Sequence, residues 1–281
     1  MNSIAFPPRN ILVPTDLGAA SESALQYARF FHERFGSEVI VLHAHYYELP
    51  SYFSSEQWKD LKRELKKIGE AAQKLVRKHS EPILGFLPAL EIAENKPTEA
   101  ILEASRRNDI NFAIMGMHGH RGMKRFWMGS VTEQVIRRSS IPVLAVRNAP
   151  AETPFQRIFC PINPSETGKH ALEYAAEISK AVQAHLTILH VVEQGAPPLD
   201  CPLVDEQIRK ACRVEEINLH GSAARTIAEV SNDLKPDLIV MGAERKPGVL
   251  GEFFSSTTSS VMQLAIGPLL IVPKRETNNT A

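Results

Sequence analysis

Residues 9–16 read RNILVPTD, and residues 157–163 read RIFCPIN. In both, a basic residue leads into a short apolar run and a proline, and Pro14 and Pro161 lie 147 positions apart. The same offset relates Leu42-His43-Ala44 to Leu189-His190-Val191. Further on, the offset becomes 126: Met115-Gly116 matches Met241-Gly242, and IPVLAV from Ile141 matches GPLLIV from Gly267. The chain therefore reads as one module written twice, with the second copy 21 residues shorter (147 less 126) between its second and fourth strands. A period this long makes each copy a unit with its own core rather than one turn of a solenoid.

Within the first copy, short apolar runs alternate with amphipathic stretches. Ile11 to Pro14 reads as a strand, and Val39 to His43 as a second. A third lies somewhere in Ile83 to Ile92; Phe112 to Met115 and Pro142 to Val146 are the fourth and fifth. Between them, Ala24, Leu25, Ala28, Phe31 and Phe35 mark the inner side of a helix for which Ser21 is the expected N-cap. Thr98 is the expected cap of a helix through Arg107, and Ser130 to Arg138 reads as another. Near-continuous apolar strands separated by helices imply a parallel sheet covered on both faces. Asn148 to Gln156 is the linker, and the polar tail from Glu276 to Ala281 is expected to fray.

The missing 21 residues can be located. Trp58, Leu61, Leu65, Ile68, Ala72 and Leu75 recur at intervals of three and four, which predicts a long helix from Ser54 to Ser80. The second copy offers only GAPPLDCPLVDEQIRKA, whose prolines allow no more than a short turn near Val204 to Lys210. Lys59, Lys62, Arg63, Lys66 and Lys67 on the long helix read as a solvated face, with a docking surface as the alternative.

Bulk properties narrow the function classes. The 281 residues are 43% hydrophobic, enough for two cores. The 32 basic residues balance 32 acidic ones, which gives no reason to expect nucleic acid or an anionic membrane as a partner. Cys160, Cys201 and Cys212 have neither metal nor redox spacing, and no apolar run suits a signal peptide or a membrane span, so a cytoplasmic location is expected.

Two loops carry chemistry. In an open parallel sheet, ligands bind beyond the carboxyl ends of the strands where the strand order reverses. Val13-Pro14-Thr15-Asp16 leaves the first strand; its carboxylate suits a ribose hydroxyl, although an ordinary helix-capping Asp would look the same. The fourth strand runs into Gly116-Met117-His118-Gly119-His120-Arg121-Gly122, and the segment closes at Gly129-Ser130-Val131-Thr132. Glycines let backbone approach a ligand, consecutive amides can cradle phosphate, and a hydroxyl pair opens a helix. Neither a G-x-x-x-x-G-K-[ST] loop nor a G-x-G-x-x-G after the first strand is present, which argues against a P-loop motor and a nicotinamide dehydrogenase. His43, His45, His118 and His120 are the candidate zinc ligands; a strand-closing and a phosphate-loop role account for them better, and no metal site is expected.

Gly116, two residues, Gly119, nine residues and Gly129-Ser130 resemble the nucleotide-binding signature of the universal stress protein family. Val13-Pro14-Thr15-Asp16 and Ser139 to Val146 are similar to that family too. The resemblance implies two tandem doubly wound α/β domains, 1–147 and 157–275, each with a five-stranded parallel sheet of order 3-2-1-4-5 of the adenine nucleotide alpha hydrolase-like kind. It implies bound ATP, with Mg. The base and ribose would lie against Pro14, Thr15, Asp16, Val41, Met115 and Gly116. The phosphates would meet His118, Gly119, Gly129, Ser130, Val131 and Thr132. It also implies pairing of the two domains through their last strands, Val143 to Val146 against Leu269 to Val272, with a homo-oligomer left open. In the second copy, Asn163 replaces the acid, Arg245 stands at the second glycine, and Ser255 and Ser256 stand where Gly129-Ser130 would recur, so this site is expected to be degenerate. The implied activity is a nucleotide-dependent stress-response or signalling module. A slow Mg-dependent ATPase and a scaffold with a vestigial pocket are the alternatives, and no positioned general base marks it as an enzyme.

Overall fold

The protein is described from a computed structural model, which defines residues 6–47, 54–107, 109–117, 129–193, 204–243, 245–248, 251–254, 256–264 and 267–274. The first copy contributes β1 (Asn10–Pro14), α1 (Ala19–Phe35), β2 (Glu38–Ala44), α2 (Ser55–Leu84), β3 (Ala89–Ala93), α3 (Pro97–Arg107), β4 (Phe112–Gly116), α4 (Ser130–Arg138) and β5 (Val143–Val146). The second contributes β6 (Arg157–Ile162), α5 (Glu166–Val182), β7 (His185–Val192), α6 (Glu206–Ala211), β8 (Arg213–His220), α7 (Ala223–Leu234) and β9 (Leu238–Ala243). It ends with a hairpin of β10 (Arg245–Gly248) and β11 (Gly251–Phe254), then α8 (Ser256–Leu264) and β12 (Leu269–Pro273).

This two-domain α/β architecture is built on one ten-stranded sheet in the order β3-β2-β1-β4-β5-β12-β9-β6-β7-β8. Pairs inside each half are parallel. The halves meet antiparallel through their last strands, with Leu269 opposite Ala145, Leu270 opposite Leu144 and Ile271 opposite Val143. The purely parallel sheets that the sequence implies are thus fused into one mixed sheet: the last strand of each copy is an apolar edge, and the two edges pair. Helices cover both faces. One core lies under α1, α2, α5 and α6 and includes Phe31, Phe112, Val76, Ala171 and Ile178. The other lies under α3, α4, α7 and α8 and includes Ile101, Val135, Ile227 and Val261.

Four local expectations are corrected, the first being Thr98, which does not cap α3 but lies buried in its first turn after Pro97. Ser21 is not the N-cap of α1. Gly18 is, and Ser21 lies buried in the first turn with its Oγ donating to the Gly18 carbonyl at 2.8 Å. The long helix does not stop at Ser80 but runs through Pro82 to Leu84, closing on Gly85 at φ 77. Leu84 is completely buried, so packing holds the last turn despite the hydrogen bond that Pro82 removes. That extension leaves β3 only Ala89–Ala93 of the wider Ile83 to Ile92 range. The start of α2 has a capping box: Ser54 accepts from the Gln57 amide, and the Gln57 side chain accepts from the Ser54 amide. Of its apolar stripe, Ala72 is buried, whereas Ile68 and Leu75 are exposed.

Leu144 and Leu270 pair across the junction and are each only 1% exposed. Leu144→Ala and Leu270→Ala are expected to cost about 2–4 kcal/mol each. The double variant should cost less than the sum, because the two side chains share one packing site. Urea denaturation of the three variants measures this.

Candidate functional site

A cleft of about 190 Å³ opens at the carboxyl ends of β1, β2 and β4. Its walls come from four places: Pro14, Thr15 and Asp16 after β1; Leu42, His43 and Ala44 at the end of β2; Met115 and Gly116 at the end of β4; and helix starts at Ala20 and Ser21, Pro97 and Ile101, and Val131 and Thr132. This is where the strand order turns back, since β1 lies between β2 and β4.

The loop after β1 is wired by its own side chains. The Thr15 amide still donates to the Leu42 carbonyl at 2.8 Å, extending the ladder one residue past the strand. Thr15 Oγ1 accepts from the Leu17 amide at 3.0 Å and lies 3.0 Å from Ser21 Oγ. Asp16 Oδ1 accepts from the Gly18 amide at 2.9 Å and from Ser21 Oγ at 3.0 Å. A hydroxyl has one proton, so when Ser21 donates to Asp16 or Gly18, Thr15 must donate to Ser21. The chain of donors holds the exposed Asp16 carboxylate at the rim of the cleft. From the other side, His43 Nδ1 lies 2.7 Å from the Thr15 carbonyl. A carbonyl only accepts, so Nδ1 carries the proton and Nε2 is the basic nitrogen. His45 stands edge-on to His43 at 4.6 Å between ring centres.

At the end of β4 the controlling fact is a backbone contact. A Cβ on Gly116 would lie 2.3 Å from the Ala20 carbonyl oxygen and 2.8 Å from the Ser21 nitrogen. The first turn of α1 therefore rests directly on Gly116. Thr132 Oγ1, buried, donates to the Gly116 carbonyl at 2.9 Å and ties α4 to the same point. α4 begins at Gly129 with no side-chain cap among the described residues, and the amides of its first turn have no partner within the helix.

Pro14, Thr15, Asp16, Met115, Gly116, Val131 and Thr132 thus come together in the cleft. Gly129 and Ser130 open α4 beside it but do not line it. Val41 does not line it either: its side chain is fully buried in the core under α1, and strand alternation gives the wall to Leu42 instead. His118 and Gly119 lie outside the described residues. The sequence reading missed Ala20, Ser21, Leu42, Ala44, Pro97 and Ile101, and gave His43 no place at the nucleotide site. Ser21 lies 95 positions before Gly116 (116 less 21), so no local pattern joins them, though a helix start just beyond a strand end was a reason to look. Among the described residues no group of three or more His, Cys, Asp or Glu gathers as a metal cage.

The second copy repeats the framework with different residues at the strand ends. Gly242 is required for the same reason as Gly116, since its Cβ would lie 2.7 Å from the Thr167 carbonyl oxygen. Asn163 accepts from Ser165 Oγ at 2.6 Å, and Ser165 caps α5. His190 takes the place of His43 but is buried, with no hydrogen-bond partner for Nδ1 among the described residues. Where the sequence of the first copy has its glycine segment, the second pairs residues 245–248 with 251–254 as a hairpin, Arg245 opposite Phe254 and Gly248 opposite Gly251. The reading of Arg245 as a lone substitution missed this; Pro247-Gly248 and Gly251 ahead of Phe253-Phe254 were the available turn-and-strand signal. β11 lies against α4.

These features define a doubly wound α/β protein, duplicated in one chain. The model of the universal stress protein family matches residues 8–147, 154–206 and 203–273. The chain belongs to that family. Universal stress protein MJ0531 of Methanocaldococcus jannaschii is 30% identical over 51% of this chain and 85% of its own length. Universal stress protein MJ0577 of the same organism is 30% identical over 50% of this chain and 94% of its own. Among solved structures, a universal stress protein from Archaeoglobus fulgidus DSM 4304 superposes with a TM-score of 0.76 at 24% identity, covering 96% of this chain and all of the other.

Gly116→Ala and Gly242→Ala should each destabilise the protein by about 1–3 kcal/mol without any ligand present, because the clash is with helix backbone; paired thermal and urea unfolding would check it. Burial, reinforced by neighbouring His43 and opposed by Glu94, holds His45 below the ordinary histidine range, and burial does the same to His190. The unfolded chain therefore takes up more protons as pH falls below about 6.5, so stability present above that pH is lost on acidification. The urea midpoint should fall from about pH 7.5 to about pH 5, less steeply in His190→Gln.

Proposed function

We propose that the first copy binds one adenine nucleotide, ATP with Mg, and that the chain works as a nucleotide-dependent stress-response or signalling module rather than as an enzyme. The observation that carries the reading is the juxtaposition at Gly116: the first turn of α1, the Asp16 loop and the first turn of α4 all meet at the end of β4. The donor set suits such a ligand. Leu42, Ala44, Ile101 and Met115 give an apolar wall for a base, and Asp16 gives a carboxylate for ribose hydroxyls. The uncapped start of α4 at Gly129, Ser130, Val131 and Thr132, with His118 and Gly119 ahead of it, gives donors for phosphates. A metal-bound triphosphate would bring the chemistry of charge neutralisation. Asp16 Oδ1 already accepts two hydrogen bonds, from Gly18 and from Ser21 in the first turn of α1, which suits a positioning role better than that of a base acting on water.

On this reading the domains are 1–147 and 157–275, each a five-stranded parallel unit of order 3-2-1-4-5. The second is the support: β12 completes the sheet beside β5, and β11 backs α4. The cytoplasm is the natural compartment for a nucleotide-responsive protein of this kind, and among the described residues no helix is long and apolar enough to cross a membrane.

Calorimetric titration with MgATP tests the reading. One site per chain is expected, with affinity reduced at least tenfold in Asp16→Ala and abolished in Gly119→Arg, which imitates Arg245. Two sites, or unchanged affinity in Gly119→Arg, would overturn it.

A further inference from the structure

β2 keeps its pairing with β3 beyond its last residue: the His45 amide donates to the Ala93 carbonyl at 2.8 Å. Its side chains keep alternating as well. His43, His45 and Tyr47 fall on one side, with successive rings 4.6 Å and 6.1 Å apart between centres. Tyr46 therefore follows Leu42 and Ala44, two walls of the cleft, on the other side. There it meets Lys96, whose Nζ lies 5.2 Å from the centre of the Tyr46 ring. Lys96 belongs to the start of α3: its carbonyl accepts from the Ala100 amide at 2.9 Å, and the next residue, Pro97, is another wall of the cleft. Tyr46 is nonetheless 47% exposed, so much of its ring stays uncovered.

The second copy fills the same two places differently. By the repeat, Tyr46 corresponds to Glu193 (46 plus 147) and Lys96 to Ser222 (96 plus 126). Glu193 Oε1 accepts from the Ala223 amide at the start of α7 at 3.4 Å. An acidic side chain at a helix N-terminus is favourable, and a cation there is not. In both copies, then, the side chain at this position reaches the start of the helix that follows the third strand of its copy. The first copy has given up an acid that would stabilise α3 for an aromatic ring and a lysine, an exchange for which α3 itself offers no reason. The copy that makes the exchange is the one that keeps Asp16 and the glycine signature.

A half-exposed ring beside a nucleotide cleft has a chemical use. Leu42 and Met115, both buried, offer a base an apolar surface inside the cleft. Tyr46 adds an aromatic surface at the outer end of the same wall. The Lys96 ammonium holds the ring from one side by a cation–π contact. The other face is left for a planar partner, and every nucleobase has a π-face that can stack on it.

We infer that Tyr46, held by Lys96, stacks on the base of the nucleotide bound in the first copy, so that the site selects for a planar base as well as for phosphate. This rests on the nucleotide reading proposed above. The test is titration of the full chain with the triphosphate of 2-aminopurine riboside and Mg, followed by the fluorescence of the base, which stacking quenches. The wild type should quench it. Tyr46→Leu should lose most of the quenching and bind both this ligand and MgATP at least about fivefold more weakly. Tyr46→Phe, which keeps the ring, should restore the quenching and bring affinity to within about twofold of wild type. Inorganic tripolyphosphate, which has no base, should bind equally to all three proteins. Unchanged affinity and quenching in Tyr46→Leu, with MgATP still bound and still dependent on Asp16, would overturn this inference alone. A loss shared by tripolyphosphate, or one that Tyr46→Phe does not restore, would overturn it by showing a role in the fold instead. A wild type that binds no nucleotide would overturn both this inference and the reading beneath it.

Discussion

The antiparallel ladder between β5 and β12 is the contact on which the rest of the molecule depends. Val143, Leu144, Ala145 and Val146 are at most 1% exposed, and Leu269 to Val272 at most 2%. Either strand alone would be an apolar edge open to any other strand. Paired, they become the middle of a ten-stranded sheet, and the aromatic cluster above continues across the seam: Phe6 meets Phe31 and Tyr174, and Tyr27 stacks on Phe155. A second copy without the motif for phosphate still has this reason to persist.

The cleft is a product of backbone proximity more than of side chains. Gly116 lets α1 descend onto β4, and that descent brings Ser21 within reach of Asp16 and Thr15. Thr132 then fastens α4 to the carbonyl of the same glycine. Gly242 repeats the close approach where the ligand motif is gone, so a glycine in this position reports helix seating first and ligand contact second. Beyond that glycine the second copy has a hairpin where the sequence of the first is glycine-rich.

Much of this was legible in the sequence because the repeat supplies two readings of every element. The β1, β2 and β4 runs stem from apolar stretches that recur in both copies, and the β5–β12 partnership from the resemblance to the family. What escaped was decided by tertiary contact. Nothing local distinguishes Ser21 as a first-turn residue from Ser21 as a cap; the contact with Gly116 does. Pro82 argues for a helix end, and the buried Leu84 overrules it. Val41 and Leu42 are equally apolar, and only the pleat sends one to the core and the other to the cleft. The hairpin was hidden because Arg245 was compared with a single glycine, when Pro247-Gly248 and Gly251 marked the surrounding segment as strand, turn and strand.

The antiparallel seam also bears on the choice of partner. Strands that meet about a local two-fold do not by geometry alone distinguish a partner of their own kind from the other kind. Two first copies from different chains present the same apolar edge to each other as a first and a second copy do. The nine-residue connection from Asn148 to Gln156 breaks that degeneracy. A tether so short holds the unlike edge at an effective concentration of roughly millimolar, far above that of any edge on another chain. Fusion thus selects the asymmetric pairing, and it is this selection that leaves one copy free to lose its motif while the other keeps it.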